Sequence, residues 1–307
     1  MVQSGTQTLK TFMCNSKFIY YNLQFMKKLI FSFLFVSPLL VTAQKPMEIM
    51  TFNIRLNTSG DSLNAWPYRK DKVASQILFY QVSLLGVQEA LHDQMVDLQQ
   101  RLPGYKYSGV GRDDGKTKGE YSAIFFDTAR LQKLDGATFW LSQTPETPGS
   151  KSWDAAITRI VSWCKFYDTE THKIFFAFNT HFDHIGQVAR AESAKLLLKR
   201  VNDIAGNTPV IVMGDFNAGP EDEPIKIITN NQNPHYLLDT KKYSETPHYG
   251  PSGTFNGFKN SEINDAPIDH IFMKKGIKVL KHATISETWQ GRFASDHFAV
   301  LARIVVE

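Results

Sequence analysis

The stretch PVIVMGDFNAGP, residues 209–220, decides how this chain is read. Val210, Ile211, Val212 and Met213 form an unbroken apolar run, rich in β-branched side chains and bounded by turn formers, which is the pattern of a short strand covered on both faces. The strand is expected to stop at Gly214. Asp215 and Asn217 then stand just beyond its carboxyl end, where α/β sheets open their ligand crevices.

Outward from this stretch, strands and helices alternate. Residues 47–54 (MEIMTFNI) and 82–89 (VSLLGVQE) read as strands, and between them residues 69–80 space Val73, Ile77 and Tyr80 on one helical face. Two apolar stretches flank a polar turn at 168–173, as antiparallel neighbours do. Residues 186–205 form an amphipathic helix, with Ala189, Leu196, Leu197, Val201 and Ile204 at helical intervals, and it leads directly into the strand at 210. Such a mixture implies an α/β fold, with two sheets packed face to face and helices outside. Periodicity alone also fits an ordinary doubly wound sheet.

The net charge of +4 resides in the amino-terminal segment. Residues 1–43 hold Lys10, Lys17, Lys27 and Lys28 and no acid, so residues 44–307 are neutral overall. Met26-Lys27-Lys28, the apolar run from Leu29 and the small residues Val41-Thr42-Ala43 follow the order of a secretory signal, and the run is short for a membrane span. Residues 1–43 are therefore expected to be an upstream extension plus signal, with the start at Met26, and residues 44–307 a single exported domain, periplasmic or extracellular and monomeric. Neutrality weakens indiscriminate capture of nucleic acid, which needs cations to neutralise phosphates. Cys14 falls in the leader and Cys164 is left alone in an apolar strand, which excludes an internal disulfide and suits a small buried side chain.

Other strand ends repeat the ending of the first. TFNIR places Asn53 at a strand end, GVQEA places Glu89, and FNTHFDH places Asn179, His181, Asp183 and His184. Asp269 in PIDHIF and Asp296-His297 in ASDHF lie beside two further apolar strands. Carboxylate and amide oxygens suit a hard cation such as magnesium, and a histidine beside an acid can be held ready to move a proton. No cysteine cluster or His-Glu-x-x-His helix points to zinc. A hard cation with a positioned base is equipment for hydrolysing phosphate esters.

In order, TFNIR, GVQE, NTHFDH, GDFN, IDHIF and SDH resemble the endonuclease/exonuclease/phosphatase superfamily, over nearly all of residues 47–306. The stretches GRDDGKTKGEYSAIFF, FWLSQTPETPGS and WDAAITRIVSW further resemble a secreted bacterial branch near the deadenylase-like members. The resemblance implies a four-layer α/β sandwich, two packed mixed β-sheets flanked by helices, and a magnesium- or manganese-dependent phosphoesterase. It implies metal ligation by Glu89, with Asn53 beside it and Asp296 as a further ligand. His181 matches a histidine that contacts phosphate or protonates the leaving group, and Asp215 and Asn217 match the pair that orients water and phosphate. Asp269 matches the acid that orients His297, and the base is shared between Asp215 and His297.

Asn179, Asp183, Arg112 and Arg159 are read as substrate-binding. For Asp183 a loop role competes, for Arg159, as for Arg55 and Arg190, a surface salt bridge, and Arg112 lies with Lys116 and Lys118 in a loop that could reach a polyanion. Trp66, Trp140, Trp153 and Phe255 are read first as core. A phosphodiester of nucleic acid or nucleotides is the first expected substrate, with an inositol phosphate, a phospholipid headgroup or another phosphorylated metabolite as the alternative. A non-catalytic binding module is disfavoured because the acid of GDFN and the histidine of SDH are both present.

Overall fold

The computed structural model describes residues 45–259 and 265–307, together with residues 1, 3 and 5. The leader pattern at 26–43, the start at Met26 and Cys14 lie outside the described residues. The chain divides into two units, Met1–Ala43 and Gln44–Glu307, and every element below belongs to the second.

Alternation along the first strand sets the layers. In β1 (Met47–Asn53), Met47 and Ile49 enter an apolar cluster between two sheets, while Met50 and Phe52 enter a second cluster beneath helices. Those helices are α1 (Lys70–Phe79) and α2 (His92–Arg101), which flank β2 (Leu84–Ala90) in the chain. The first sheet is completed by β3 (Tyr105–Ser108), β4 (Tyr121–Asp127), β11 (Ile277–Ile285) and β12 (Ala299–Val306), in the order β11-β12-β1-β2-β4-β3. Within it β1 and β2 are parallel and β12 is antiparallel to β1.

The second sheet contains β5 (Leu131–Trp140), β6 (Ile160–Asp168), β7 (Lys173–His181), β8 (Val210–Asp215), β9 (Leu238–Asp239) and β10 (Asp269–Met273), in the order β5-β6-β7-β8-β10-β9. Helices α3 (Gln187–Ala205) and α4 (Glu223–Thr229) cover its outer face through a third cluster, which takes Leu197, Val201, Ile225 and Ile228. The result is a four-layer α/β sandwich of two mixed six-stranded sheets. The doubly wound alternative is thereby excluded.

The 210–213 run is buried on both sides, as its composition requires. Ile211 and Met213 face the other sheet, and Val210 and Val212 face α3 and α4. The strand continues through Gly214 to Asp215, one residue beyond the expected stop. Gly214 permits this, because a Cβ there would come within 2.1 Å of the Thr180 carbonyl on the neighbouring strand. Cys164 is buried and unpaired. No described helix is long and apolar enough to cross a membrane.

Candidate active site

The alternation that builds the inter-sheet core also delivers the polar residues to one cleft. On the inward face, Phe175 and Ala177 of β7 lead to Asn179 and His181, Ile211 and Met213 of β8 lead to Asp215, and Ile49 of β1 leads past Thr51 to Asn53. Strand β10 runs antiparallel to β8, so its first residue, Asp269, pairs with Asp215, while His181 pairs with Asp215 from the parallel side. Asp296 and His297 precede β12, which is antiparallel to β1 and so begins beside Asn53.

Glu89 arrives differently. Between Val87 and Ala90 the β2–β4 register slips, so that Gln88 and Glu89 oppose Ser122 alone. This bulge gives Glu89 a φ of 63°, a left-handed conformation that costs a non-glycine residue energy and persists where its surroundings over-determine it. Its carboxylate accepts from Asn53 Nδ2 at 3.0 Å and from the Leu56 amide at 3.2 Å.

Asn53 joins two parts of the site. Its amide nitrogen also donates to Asp215 Oδ2 at 3.0 Å and lies 3.4 Å from His297 Nε2, while its oxygen accepts from the Arg55 amide at 3.0 Å. Asn53 is fully buried and acts here as a hydrogen-bond bridge, and its oxygen keeps a second lone pair beside Glu89. Glu89 and Asp296 keep oxygens toward the cleft. Arg55 approaches each at 3.7 Å, an ion-pair distance beyond hydrogen-bond reach, and forms its close bidentate pair with Asp61. Burial, set against the nearby His297 cation and reinforced by Glu89, raises the Asp296 carboxyl above its ordinary range. Two acids crowded in a shielded cleft are a donor set that a hard cation fits.

On the other side, His297 Nδ1 meets Asp269 Oδ2 at 2.9 Å and His297 Nε2 lies 3.8 Å from Asp215 Oδ2. These three residues bring ligand-type atoms within 4.8 Å of one another. The short Asp269 contact and the Asn53 bond to Asp215 already commit several of those atoms, so the trio is better suited to proton handling than to ligation. Burial pushes Asp215 up to about 7, helped by the charge of Asp269. Burial alone would depress His297, but the carboxylates of Asp269, Asp215 and Asp296 outweigh it and hold the imidazole at about 10. His181 goes the other way, held well below its usual value by burial and by the positive charges of Arg159 and His297. The Asn217 amide meets His181 Nε2 at 3.0 Å, and since an amide nitrogen only donates, that ring nitrogen is the acceptor.

The four residues read as substrate-binding separate sharply. Arg159 lines the cleft, is 5% exposed, and has Nε and Nη1 without a hydrogen-bond partner, while Nη2 donates to His184 Nδ1 at 3.1 Å. Its Nε lies 3.8 Å from Asp183 Oδ2, at ion-pair distance, and a buried guanidinium with donors left without hydrogen bonds can take an anion. Asn179 is wholly buried between the sheets, bonded to Val87, Ala123 and Gln88, and does not reach the cleft. Asp183 is also buried, and the amides of Ile157, Ile185 and Gly186 fill its oxygens. Opposing the upward effect of burial, those amides hold its carboxyl low, so it fastens a loop. Arg112 sits behind the cleft wall, 2.6 Å from Glu120, and supports that residue.

Arg69, behind the cleft, and Glu120, on its wall, were not singled out from sequence. Arg69 is buried and donates to the carbonyls of Ile54, Arg55, Asn64 and Ala294, joining the end of β1 to the loop that carries Asp296. Glu120 lines the cleft, and burial raises its carboxyl against the pull of Arg112. Trp66 and Trp140 are core, as read, but Phe255 is 45% exposed, lines the cleft and packs edge-on against His297 at 5.1 Å.

A fold of two packed mixed sheets with acids, amides and histidines gathered at their strand ends defines a class of phosphoester hydrolases. Residues 50–297 match the Endonuclease/Exonuclease/phosphatase family, and the chain belongs to that family. It is similar to an endonuclease/exonuclease/phosphatase protein of Bacteroides vulgatus, with 39% identity, TM-score 0.82, and 86% of this chain and 100% of that one covered. A mannosyl-6-phosphatase of Bacteroides thetaiotaomicron shares 35% identity at TM-score 0.80, covering 84% and 99% of the two chains. An uncharacterized protein of Acanthamoeba polyphaga mimivirus is 25% identical over 240 residues, 74% of this chain and 87% of its own.

Proposed function

We propose that this chain is a magnesium- or manganese-dependent phosphoesterase acting on a small phosphorylated substrate, with a sugar phosphate first among the candidates. The observation that carries the reading is the cleft itself. A cavity of about 690 Å³ is lined by the acids Glu89 and Asp296, the Asp215–His297 pair and Arg159, whose Nε and Nη1 make no hydrogen bond. That volume suits a small molecule. The 35% identity to a mannosyl-6-phosphatase supports the sugar phosphate over the nucleic acid expected first from the motifs. Neutral charge over residues 44–307 supports it further. We take the domain to be exported, on the basic-then-apolar pattern of residues 26–43.

Glu89 and Asp296 would hold the cation, and when bound it would polarise phosphoryl oxygens and stabilise the leaving oxygen. Arg159 binds the phosphoryl group through Nε and Nη1. Asp215, poised near neutral pH, accepts the proton of the attacking water, for a base works best when its pKa lies near the operating pH. His297 stays protonated and places positive charge where negative charge grows, with Asp269 fixing its ring. Asn217 and His181 hold each other at the cleft wall.

The test is hydrolysis by metal-stripped protein, with magnesium or manganese restored, of hexose 6-phosphates, inositol phosphates, nucleotides, sphingomyelin, RNA, and single- and double-stranded DNA. Metal-dependent phosphate release from hexose phosphates is expected. Cleavage confined to polynucleotides would move the substrate to nucleic acid, and activity without any divalent cation would overturn the metal dependence.

A further inference from the structure

Asn179 belongs to the second sheet, yet its side chain is bonded to the first. Nδ2 donates to the carbonyls of Val87 at 2.9 Å and Ala123 at 2.8 Å, and Oδ1 accepts from Gln88 Nε2 at 2.6 Å. Gln88 Nε2 donates in turn to Thr51 Oγ1 at 2.9 Å. Room for the amide is kept by Gly86, where a Cβ would come within 2.6 Å of Asn179 Oδ1. Val87 and Ala123 are the last regular pair before the bulge that carries Glu89. A bulge disrupts the ladder locally, and here an amide from the opposite sheet bonds the carbonyls at that break.

We propose that Asn179 is a positioning residue for Glu89. By tying Val87 to Ala123 and gripping Gln88, it fixes the bulge that gives Glu89 its left-handed turn and aims its carboxylate into the cleft. It thereby sets the affinity of the site for a divalent cation, an inference that rests on the metal-dependent reading above. A leucine would fill similar space but leave the carbonyls of Val87 and Ala123 and the Gln88 amide without this partner. A merely architectural asparagine would, when replaced, lower stability without selectively weakening cation binding.

The experiment is calorimetric titration of metal-stripped protein with Mn²⁺, alongside thermal unfolding, for the wild type and three variants. Asn179→Leu removes the bonds, Gly86→Ala drives a methyl into the Asn179 amide from the opposite sheet, and Ile304→Ala opens the inter-sheet core on β12 without touching the bulge. Loss of a group that orients a metal ligand lowers affinity ~10–100-fold, so Asn179→Leu and Gly86→Ala should raise the Mn²⁺ Kd by at least ~10-fold. Ile304→Ala should leave it near the wild-type value despite losing stability. Wild-type affinity in a folded Asn179→Leu protein, or equal weakening by Ile304→Ala, would overturn the proposal. If Asn179→Leu fails to fold, Gly86→Ala decides by the same criterion. Absence of Mn²⁺ binding by the wild type would remove the metal reading and this inference together, whereas normal binding in all variants would remove this inference alone.

Discussion

Replacing Asp215 by asparagine should stabilise the metal-stripped protein at alkaline pH while abolishing turnover. Asp215 and Asp269 face each other across β8 and β10 and share one imidazolium, that of His297. Burial and the Asp269 charge hold Asp215 at about 7 against the ordinary 3.8. The folded state therefore keeps a proton that the unfolded state has already released, and the Asp215 contribution to stability falls as pH rises from about 4 to about 7. The whole gap corresponds to roughly 4 kcal/mol, of which about a third is already lost at pH 5. His297, raised from 6.5 to about 10, likewise keeps a proton that the unfolded chain releases, so in both proteins its contribution falls as pH rises above about 6.5 and deepens the trend. Relative to wild type, Asp215→Asn should gain roughly 2–3 kcal/mol between pH 5 and pH 8, about 5 °C in the unfolding midpoint. Thermal unfolding of both proteins in chelator at the two pH values measures this directly. An offset independent of pH, or one that moves against the variant at pH 8, would refute the charge crowding. Turnover of the metal-restored enzyme should fall by about 10²–10⁴ at pH 8, where Asp215 is ionised, and by less at pH 5, where the wild-type base is already protonated.

Arg159→Met should raise KM for a phosphorylated substrate about 10–100-fold, the worth of one charge-assisted hydrogen bond or slightly more, with little change in the unfolding midpoint. A wild-type KM would take Arg159 out of phosphate binding. Burial pushes the Cys164 thiol up to about 11, so iodoacetamide at pH 8 should leave it unmodified in the native protein and alkylate it after denaturation; rapid native labelling would contradict its burial. Gly214→Ala should cost roughly 3 kcal/mol or more in denaturant unfolding, because the new methyl meets the Thr180 carbonyl, and an unchanged midpoint would show that β7 and β8 can separate there.

The sequence made the strands legible because alternation and apolar runs are local properties. Val210 to Met213 could be read as a buried strand before any partner was known. The same alternation, followed to its consequence, also locates Asn179: it shares the inward parity of Phe175 and Ala177 and lies one strand step behind His181, inside the core. The motif NTH suggested a cleft residue, while the parity pointed to a buried one. Arg112 and Asp183 were harder, since what takes them away from the cleft is a partner eight residues off, Glu120, or backbone amides of a loop. Glu120, Phe255 and Arg69 carry no strand-end signature, and only the folded chain brings them beside the site. The bulge at Gln88-Glu89 left no local mark because it is a property of the β2–β4 pairing.

The space between the sheets is graded, and this gradient links fold to chemistry. At its deep end lie Ile49, Ile211 and Phe175, then the amides and hydroxyl of Gln88, Asn179 and Thr51, and at the mouth Asp215, Asp269, His181 and His297. The apolar layer supplies burial, which raises the energy of every ionised group at the mouth. The amide layer supplies fixed donors and orients the acids. Asn53 occupies the junction, with one nitrogen 3.0 Å from both Glu89 and Asp215. Those two carboxylates, one proposed for the cation and one for the water proton, are therefore held at a fixed separation by a single buried amide. A change in charge on either is felt by the other through that amide and through His297 beside it. Preorganisation of this kind needs a rigid support on both sides, and two sheets packed face to face provide it where one sheet with exposed loops would not.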